Sequence, residues 1–290
     1  MPIQALLLVL FAALLHATWN IAAKKAGGDH RFALIGALLV CVLWAPLALW
    51  FGWRELPRWG LAAWSVVAAS AVLHVLYFTT LLRGYREADL TVVYPVARGS
   101  APLATSGAAV LLLGEPLGLA GALGVLAVCG GVFLIAGGPG IWRAAHDQQC
   151  MRAGLRWGAL TGLLIAGYSV VDGMAVKVLL VSPLLLDYIG NLLRVPLLLP
   201  GVWRDRPGFA QAWRTQWRHA LVVAVLGPLG YIAVLYAVTL APLSHVAPAR
   251  EVSMLLAALL GGKLLGERDR GLRIAGAACI AGGVAALALG

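Results

Sequence analysis

Charged side chains are scarce in this chain. Asp, Glu, Lys and Arg together make up 12% of its 290 residues, and its acidic residues number only 12. A soluble domain carries about twice that fraction of charge. Hydrophobic residues make up 61% of the chain, and the mean hydropathy is +0.89. The composition therefore excludes a protein that exposes most of its surface to water.

Cysteine is also scarce, and common enzyme motifs are missing. The chain has four cysteines, and no CxxC or Cys/His spacing suits a metal ion. It has no HExxH, no GxSxG and no Walker A motif, since Gly262-Lys263 is followed by Leu264 instead of the hydroxyl residue that holds magnesium. We therefore predict no cofactor, no metal site and no catalytic residues, and we expect a protein that is not an enzyme.

The excess of positive charge has a different meaning here from that in a soluble protein. A net charge of +10 is compatible with nucleic-acid binding. However, Lys and Arg mostly lie in short clusters between apolar runs, as they do beside membrane spans. We therefore predict that the partners are membrane lipid and a small-molecule substrate, and not nucleic acid. Self-association into a homodimer is left open.

The chain has many long apolar runs. A membrane-spanning helix needs about 20 mostly apolar residues. The runs of that length are 3–23, 32–52, 60–82, 90–113, 117–137, 155–177, 182–203, 219–240, 243–265 and 271–289. The predicted fold class is an all-α integral membrane protein with ten transmembrane helices. We expect a multi-pass protein of the cell membrane, and of the inner membrane if its source is bacterial.

The second half of the chain repeats the first. Repeat-related pairs include Arg98 with Arg250, Leu113-Gly114-Glu115 with Leu265-Gly266-Glu267, and Gly130-Gly131-Val132 with Gly282-Gly283-Val284. Five spans in each half is an odd number, so the halves enter the membrane with opposite orientations. We predict a first five-helix repeat over residues 1–140, a linker over 141–154 and a second, inverted repeat over 155–290. We expect Glu115 and Glu267, which close their motifs, to cap or tie down adjacent loops.

Charge and tryptophan mark the ends of the spans. Most of the 22 Lys and Arg fall on one side of the ten-span arrangement, which places both termini outside the cytoplasm by the positive-inside rule. The stretch 207–218 alternates Trp, Phe and Arg with small residues. It is either an amphipathic segment along the membrane interface or an ordinary anchored loop.

Two arginines lie inside predicted spans, where ionisable groups are costly and usually face a cavity or a partner. Arg98 follows Pro95 and Arg250 follows Pro248. A proline frees a backbone carbonyl and can open the helix there, and a guanidinium offers a rigid fork for carboxylate or phosphate. We predict that both arginines bind an anionic substrate. The alternative is that each arginine snorkels to the membrane interface or pairs internally, for instance with Glu251 or Asp172.

Other polar residues within spans are further candidates for the substrate site. His16, Trp19 and Asn20 lie near one face of the first span and predict a pocket wall, although hydrogen bonds between helices would explain His16 and Asn20 equally well. His74 and Tyr77 on the third span suit an aromatic or hydroxylated metabolite.

Two carboxylates within spans can take up and release protons. Asp172 and Glu251 are therefore candidates for coupling transport to a proton gradient. The alternative is that each forms a static salt bridge.

These motifs resemble the drug/metabolite transporter superfamily, and in particular its EamA-like branch. The resemblance covers essentially the whole chain and depends on the two Leu-Gly-Glu motifs and on the proline-containing stretches 94–98 and 246–250. It implies a secondary carrier, and an exporter, that moves a small polar or anionic metabolite or drug by alternating access. The implied central cavity lies between spans 1, 3, 4, 6, 8 and 9.

The chain departs from this family in two respects. Members usually have a Trp-Gly pair in the first span, where this chain has Trp19-Asn20. Relatives also place both termini in the cytoplasm, against the charge distribution of this chain. The functions kept as alternatives are a lipid-head-group flippase and an intramembrane enzyme.

Overall fold

The computed structural model describes residues 1–27, 29–140, 148–260 and 270–289, and these ranges contain helices and turns but no strands. The helices are α1 (Ile3–Ala26), α2 (His30–Leu43), α3 (Ala45–Glu55), α4 (Leu61–Glu87), α5 (Leu90–Leu113), α6 (Leu119–Ile135), α7 (Gln148–Lys177), α8 (Pro183–Trp203), α9 (Arg206–Leu240), α10 (Leu243–Ala249), α11 (Val252–Leu260) and α12 (Arg270–Leu289). Short 3-10 turns occur at Leu56–Arg58 and Gly138–Gly140.

Seven helices within the described ranges are long and apolar enough to cross a membrane: α1, α4, α5, α7, α8, α9 and α12. Helices α2 and α3 form an eighth candidate if they count as one span, although they are bent by 65°. The prediction of an all-helical, multi-pass membrane protein is confirmed. The predicted number of ten separate spans is not matched.

The missing spans have identifiable physical causes. The second predicted span bends at Trp44, because Pro46 at the start of α3 has no N–H to continue the hydrogen bonds of α2. The fifth is α6, which has only 17 residues. The ninth is interrupted between α10 and α11 at Arg250-Glu251. Residues 261–269, which include the second Leu-Gly-Glu motif and Glu267, lie outside the described residues.

Two helices extend beyond their predicted bounds. Helix α7 begins at Gln148, so residues 148–154 of the predicted linker are helical, while residues 141–147 lie outside the described residues. Helix α9 has 35 residues and includes the Trp- and Arg-rich stretch 207–218. At 1.5 Å per residue it is about 52 Å long, compared with a hydrocarbon core of about 30 Å.

The repeat-related helices α6 and α12 pack against each other through glycine. A Cβ atom on Gly124 would lie 2.8 Å from the carbonyl oxygen of Gly283, and one on Gly131 would lie 2.6 Å from that of Gly276. Residue numbers rise along one helix as they fall along the other, so the two helices run antiparallel. In the repeat, Gly124 corresponds to Gly276 and Gly131 corresponds to Gly283. Each glycine of α6 therefore faces the residue that corresponds to the other glycine of α6, and the contact has local two-fold symmetry.

Helix α7 is the element around which the polar interior is arranged. It packs against α4, α5, α8, α9 and α10. Gly154, Gly158 and Gly162 let it lie close to α5, where they face Val92, Val96 and Ser100 in turn. Residue numbers rise along both helices at this contact, so α5 and α7 are parallel. The fold thus brings helices of both halves around one buried region.

Candidate substrate site between the two halves

An aromatic and acidic cluster lies on α7 and the helices that face it. Asp172 is 1% exposed, and one of its carboxylate oxygens accepts a hydrogen bond from the Tyr231 hydroxyl on α9. One turn earlier on α7, the ring of Tyr168 stacks on that of His74 from α4, with 4.0 Å between centroids. Residues from both predicted repeats therefore meet in this cluster.

Helix α4 fixes the orientation of the histidine in this cluster. The His74 Nδ1 atom lies 2.9 Å from the backbone carbonyl oxygen of Ser70. A carbonyl oxygen only accepts, so Nδ1 carries a proton in this contact. The ring of Tyr77 lies 5.9 Å from that of His74 and 5.3 Å from that of Tyr168. The structure therefore brings together His74 and Tyr77, both predicted site residues.

The repeat-related arginines have different surroundings. The Nη2 atom of Arg98 lies 3.1 Å from the Oε2 atom of Glu251, and it donates a 3.5 Å hydrogen bond to the Ser253 hydroxyl. Arg98 thus pairs internally, as one of the two interpretations predicted. Arg250 instead lies with its Cζ atom 5.9 Å from the centroid of the Tyr231 ring. Among the described residues, no carboxylate forms an ion pair with Arg250.

The predicted effect of proline holds in only one half of the chain. Helix α5 continues through Pro95 and Pro102, so Pro95 does not open its helix. In the second half, α10 ends at Ala249, directly after Pro248. Because Pro248 has no N–H, the carbonyl oxygen of Ser244 lacks its helical donor, and it accepts a 2.9 Å hydrogen bond from the Ser106 hydroxyl instead.

Glu115 joins the two halves at the start of α10. Its carboxylate accepts hydrogen bonds from the backbone N–H groups of Leu243 and Ser244, both at 2.8 Å, and from the Lys177 ammonium group at 2.6 Å. We call these contacts the Glu115 cap. Burial raises the pKa of this carboxyl, but its three donors outweigh burial and hold the pKa below its ordinary value. The prediction that Glu115 ties down an adjacent segment is confirmed, and the same prediction for Glu267 falls outside the described residues.

Two of the candidates on the first span contact each other. The rings of His16 and Trp19 are 4.7 Å apart in an edge-to-face arrangement. His16 is within electrostatic reach of Arg98 and Arg250. Within the described ranges, no hydrogen bond joins the side chains of His16, Trp19 or Asn20 to the cluster around Asp172. These three residues therefore remain predictions.

Helix α8 contributes polar residues that were not among the predicted site residues, although Asp187 and Arg194 stand out in the sequence as ionisable groups within a span. The Asn191 side chain donates a 2.9 Å hydrogen bond to the Asp187 carbonyl and accepts one of 3.5 Å from Arg194. Arg194 is within electrostatic reach of Asp172 and His74. The sequence indicated this region through two ionisable residues, Asp187 and Arg194, inside one predicted span. Tyr168 could have been found from its spacing of one helical turn before Asp172.

The side chains of the site determine what chemistry it can support. Within the part of the chain that the structure describes, no three His, Cys, Asp or Glu side chains lie close enough to hold a metal ion. The site offers guanidinium groups, carboxylates, an imidazole and phenol hydroxyls around buried aromatic surface. Such an arrangement can hold an anionic group and can change its own charge when a carboxylate takes up a proton.

Comparison with known proteins gives one family and one fold. The model of the EamA-like transporter family matches residues 3–137 and again residues 152–289. A solved structure described as "Crystal structure of protein" superposes with a TM-score of 0.75 at 19% identity, covering 100% of this chain and 98% of that chain. No curated protein matches the sequence.

Proposed function

Since the chain belongs to the EamA-like transporter family, we propose that it is a secondary active transporter that exports a small polar or anionic metabolite or drug. Arg250 carries this proposal. Arg250 is only partly exposed, and its Cζ atom lies 5.9 Å from the centroid of the Tyr231 ring. It forms no ion pair with a carboxylate among the described residues, although Asp172 and Glu251 are within electrostatic reach. A charge held away from water is costly unless it is paired. An anionic group on the substrate would supply the missing partner.

The membrane arrangement that we propose has ten spans in two inverted five-helix repeats. Helices α2 with α3, α6, and α10 with α11 would each form one span in addition to the seven long helices. The antiparallel contact between α6 and α12 supports the inversion, because repeat-related helices of opposite orientation would meet in this way. We place this bundle in the cell membrane, and in the inner membrane if the source is bacterial.

Alternating access would use the interface between the halves. Arg98, His74 and Tyr77 come from the first half, and they face Asp172, Tyr231 and Glu251 from the second. The interruption at Arg250-Glu251 gives the ninth span a point at which α10 and α11 can change their relative orientation. We propose His16, Trp19 and Asn20 as the wall of the same cavity on α1.

Proton coupling would depend on the two carboxylates. When Glu251 takes up a proton from solvent, its attraction for Arg98 is lost and the guanidinium becomes available to a substrate anion. Release of that proton restores the pair and favours release of the anion. Asp172, bonded to Tyr231, is the second proton-binding candidate. Binding of the proton and binding of the substrate anion would therefore favour each other.

The test uses purified protein and a panel of small carboxylates and phosphate monoesters. Each compound is first screened for an increase in melting temperature, because a ligand that binds only the native state raises it. Uptake of each hit is then measured in proteoliposomes. We expect Arg250→Ala to weaken the apparent affinity at least tenfold, about 1.4 kcal/mol.

The matched control is Arg54→Ala, which removes an exposed arginine outside the site and should leave uptake unchanged. Equal uptake by wild type and Arg250→Ala would reject the role of Arg250. No saturable uptake of any hit by wild type would reject the transport proposal.

A further inference from the structure

A shallow groove lies on the outer surface of the bundle, at the end of α8. It has a volume of about 390 Å³ and is lined by Pro196, Leu199, Pro200, Trp203 and Arg204. These residues recur at intervals of three and four, so they form one stripe along the helix. Leu199 and Trp203 are 40% and 61% exposed. The stripe covers about 10 Å of helix at 1.5 Å per residue, and it ends in positive charge.

The charges at the end of the groove have no acidic partner among the described residues. Arg204 lines the groove, and Arg206 lies with its Cζ atom 4.2 Å from the centroid of the Trp203 ring. Asp205 stands between them but is already engaged, with Arg31 at 2.5 Å and with the backbone N–H of Gly208 at 3.1 Å. Two guanidinium groups are therefore available next to an apolar surface.

The first half of the chain contains the related motif with less charge. Trp53-Arg54-Glu55-Leu56-Pro57 corresponds to Trp203-Arg204-Asp205-Arg206-Pro207. Arg54 lies over Trp53, with 4.9 Å from its Cζ atom to the ring centroid. However, the position of Arg206 is occupied by Leu56. Only the second half therefore has both arginines of the motif. Variants of the related motif in the first half can serve as a control.

We propose that this groove binds an anionic phospholipid. Arg204 and Arg206 hold the phosphodiester, and one acyl chain lies along the stripe from Trp203 toward Pro196. Guanidinium groups match phosphate geometry with two parallel hydrogen bonds, and Trp203 is a residue type that prefers the membrane–water boundary. A zwitterionic lipid would satisfy the apolar stripe equally well, but its own cation would face two arginines. The charge of the site therefore selects a lipid with net negative charge.

The lipid site is independent of transport, since it lies on the outside of the bundle and away from the buried cluster around Asp172. Two further arginines, Arg214 and Arg218, follow on the first part of α9. Anionic headgroups attract basic segments beside a membrane by about 1 kcal/mol for each Lys or Arg near the surface. Arg214 and Arg218 would strengthen the attraction between α9 and the anionic lipids of the same leaflet, without contacting the bound phosphate.

The experiment counts lipids on the detergent-solubilised full chain by native mass spectrometry. The probes are phosphatidylglycerol and phosphatidylcholine with identical acyl chains. We expect wild type to bind phosphatidylglycerol more tightly. The double variant Arg204→Ala/Arg206→Ala should weaken phosphatidylglycerol binding at least tenfold and remove the preference. The control Arg54→Ala/Arg58→Ala removes the same charge at the related motif and should bind as wild type does.

A second variant tests the apolar part of the site. Leu199→Asn should weaken the binding of both lipids, because the stripe contacts the acyl chain in each case. The proposal is overturned if the two arginine double variants behave alike, if wild type does not distinguish the lipids, or if Leu199→Asn has no effect. It is also overturned if glycerol 3-phosphate raises the melting temperature as much as phosphatidylglycerol does, since that result indicates an adventitious anion site. Comparing the melting temperatures of the variants without lipid shows that each is folded.

Discussion

Arg98 and Arg250 hold equivalent positions in the repeat, yet only Arg98 has an acidic partner among the described residues. Arg98 follows Pro95 by three positions, whereas Arg250 follows Pro248 by two. Arg98 lies inside the continuous helix α5, whereas Arg250 lies at the interruption after α10. The related sequences therefore do not give related contacts.

The Arg98–Glu251 pair gives a prediction at this scale. The side chains of Arg98 and Glu251 are 19% and 8% exposed. Removing one partner of a buried pair leaves an uncompensated charge, at a cost of about 3 kcal/mol. We expect Arg98→Ala to lower the free energy of unfolding by this order, measured by reversible denaturation in detergent. Arg98→Ala/Glu251→Gln should recover part of the loss.

Arg250→Ala is the matched comparison, because Arg250 has no ion pair among the described residues. A similar loss of stability in Arg98→Ala and Arg250→Ala would contradict the structural difference between the two arginines. Failure of Glu251→Gln to restore stability would show that the cost does not arise from the unpaired carboxylate.

Individual site residues could be predicted from the sequence where their chemistry was unusual for a span. His74, Asp172, Arg98 and Glu251 were found in this way and do contact one another or shared neighbours. Arg194 belongs to the same polar region, but its placement depends on how α8 approaches α7. That approach is a tertiary contact, and no spacing within α8 indicates it.

At the scale of the element, α10 is a seven-residue helix whose start is held by the other half of the chain. The Glu115 cap supplies acceptors for two of the N–H groups that a helix start leaves unpaired. In the same first turn, Ser106 donates to the carbonyl oxygen of Ser244, which Pro248 leaves free. A helix this short is unstable alone in water. Its position therefore depends on these side chains of the first half.

Glu115→Gln tests this dependence. Hydrogen bonds to a charged group are worth about 1.5–3 kcal/mol each. The folded pKa of Glu115 is held below its ordinary value, so the stabilisation is present at neutral pH and is lost as pH falls through the folded pKa. We expect Glu115→Gln to lower the melting temperature at pH 7, and we expect the difference from wild type to shrink toward acidic pH.

The control for this change is Glu87→Gln. Glu87 bonds to Arg83 and to the Trp157 ring nitrogen, but it is exposed. An exposed ion pair of this kind contributes little to stability, so its effect should be small at every pH. A melting-temperature difference for Glu115→Gln that does not change with pH would contradict the assigned ionisation.

Element bounds followed from hydropathy only where a helix is uninterrupted. Hydropathy placed α1, α4 and α5 within a few residues of their observed bounds. It could not show that α5 continues through Pro95 while the related segment ends after Pro248. In the second half, Ser106 and the Glu115 cap hold the start of the segment that is interrupted after Pro248. These contacts join residues more than 120 positions apart in sequence, beyond the reach of any local pattern.

At the scale of the whole molecule, the halves meet along α6 and α12. Gly131 faces Gly276 so closely that a Cβ atom would lie 2.6 Å from the carbonyl oxygen. Gly131→Ala must therefore move the two helices apart, and overpacking typically costs 1–3 kcal/mol. We expect a lower unfolding free energy, measured by denaturation. Gly130→Ala is the control, because a Cβ atom there meets nothing within 4 Å.

Equal behaviour of these two alanine variants would show that the helices do not approach each other as closely as described. Gly130 and Gly131 are adjacent glycines of the same helix, so the two variants differ only in the direction of the added methyl group. Loss of stability confined to Gly131→Ala would support the packing of repeat-related helices as a fixed part of the fold.

The symmetry of the α6–α12 contact has an evolutionary consequence. Each helix uses the same two glycine positions, so a surface of this kind is complementary to a copy of itself. A protein half this size could therefore have assembled as a pair through that surface before its gene was duplicated and fused. Fusion would then have released the two copies to diverge, which is how a single polypeptide could acquire an Arg98 that is paired and an Arg250 that is not.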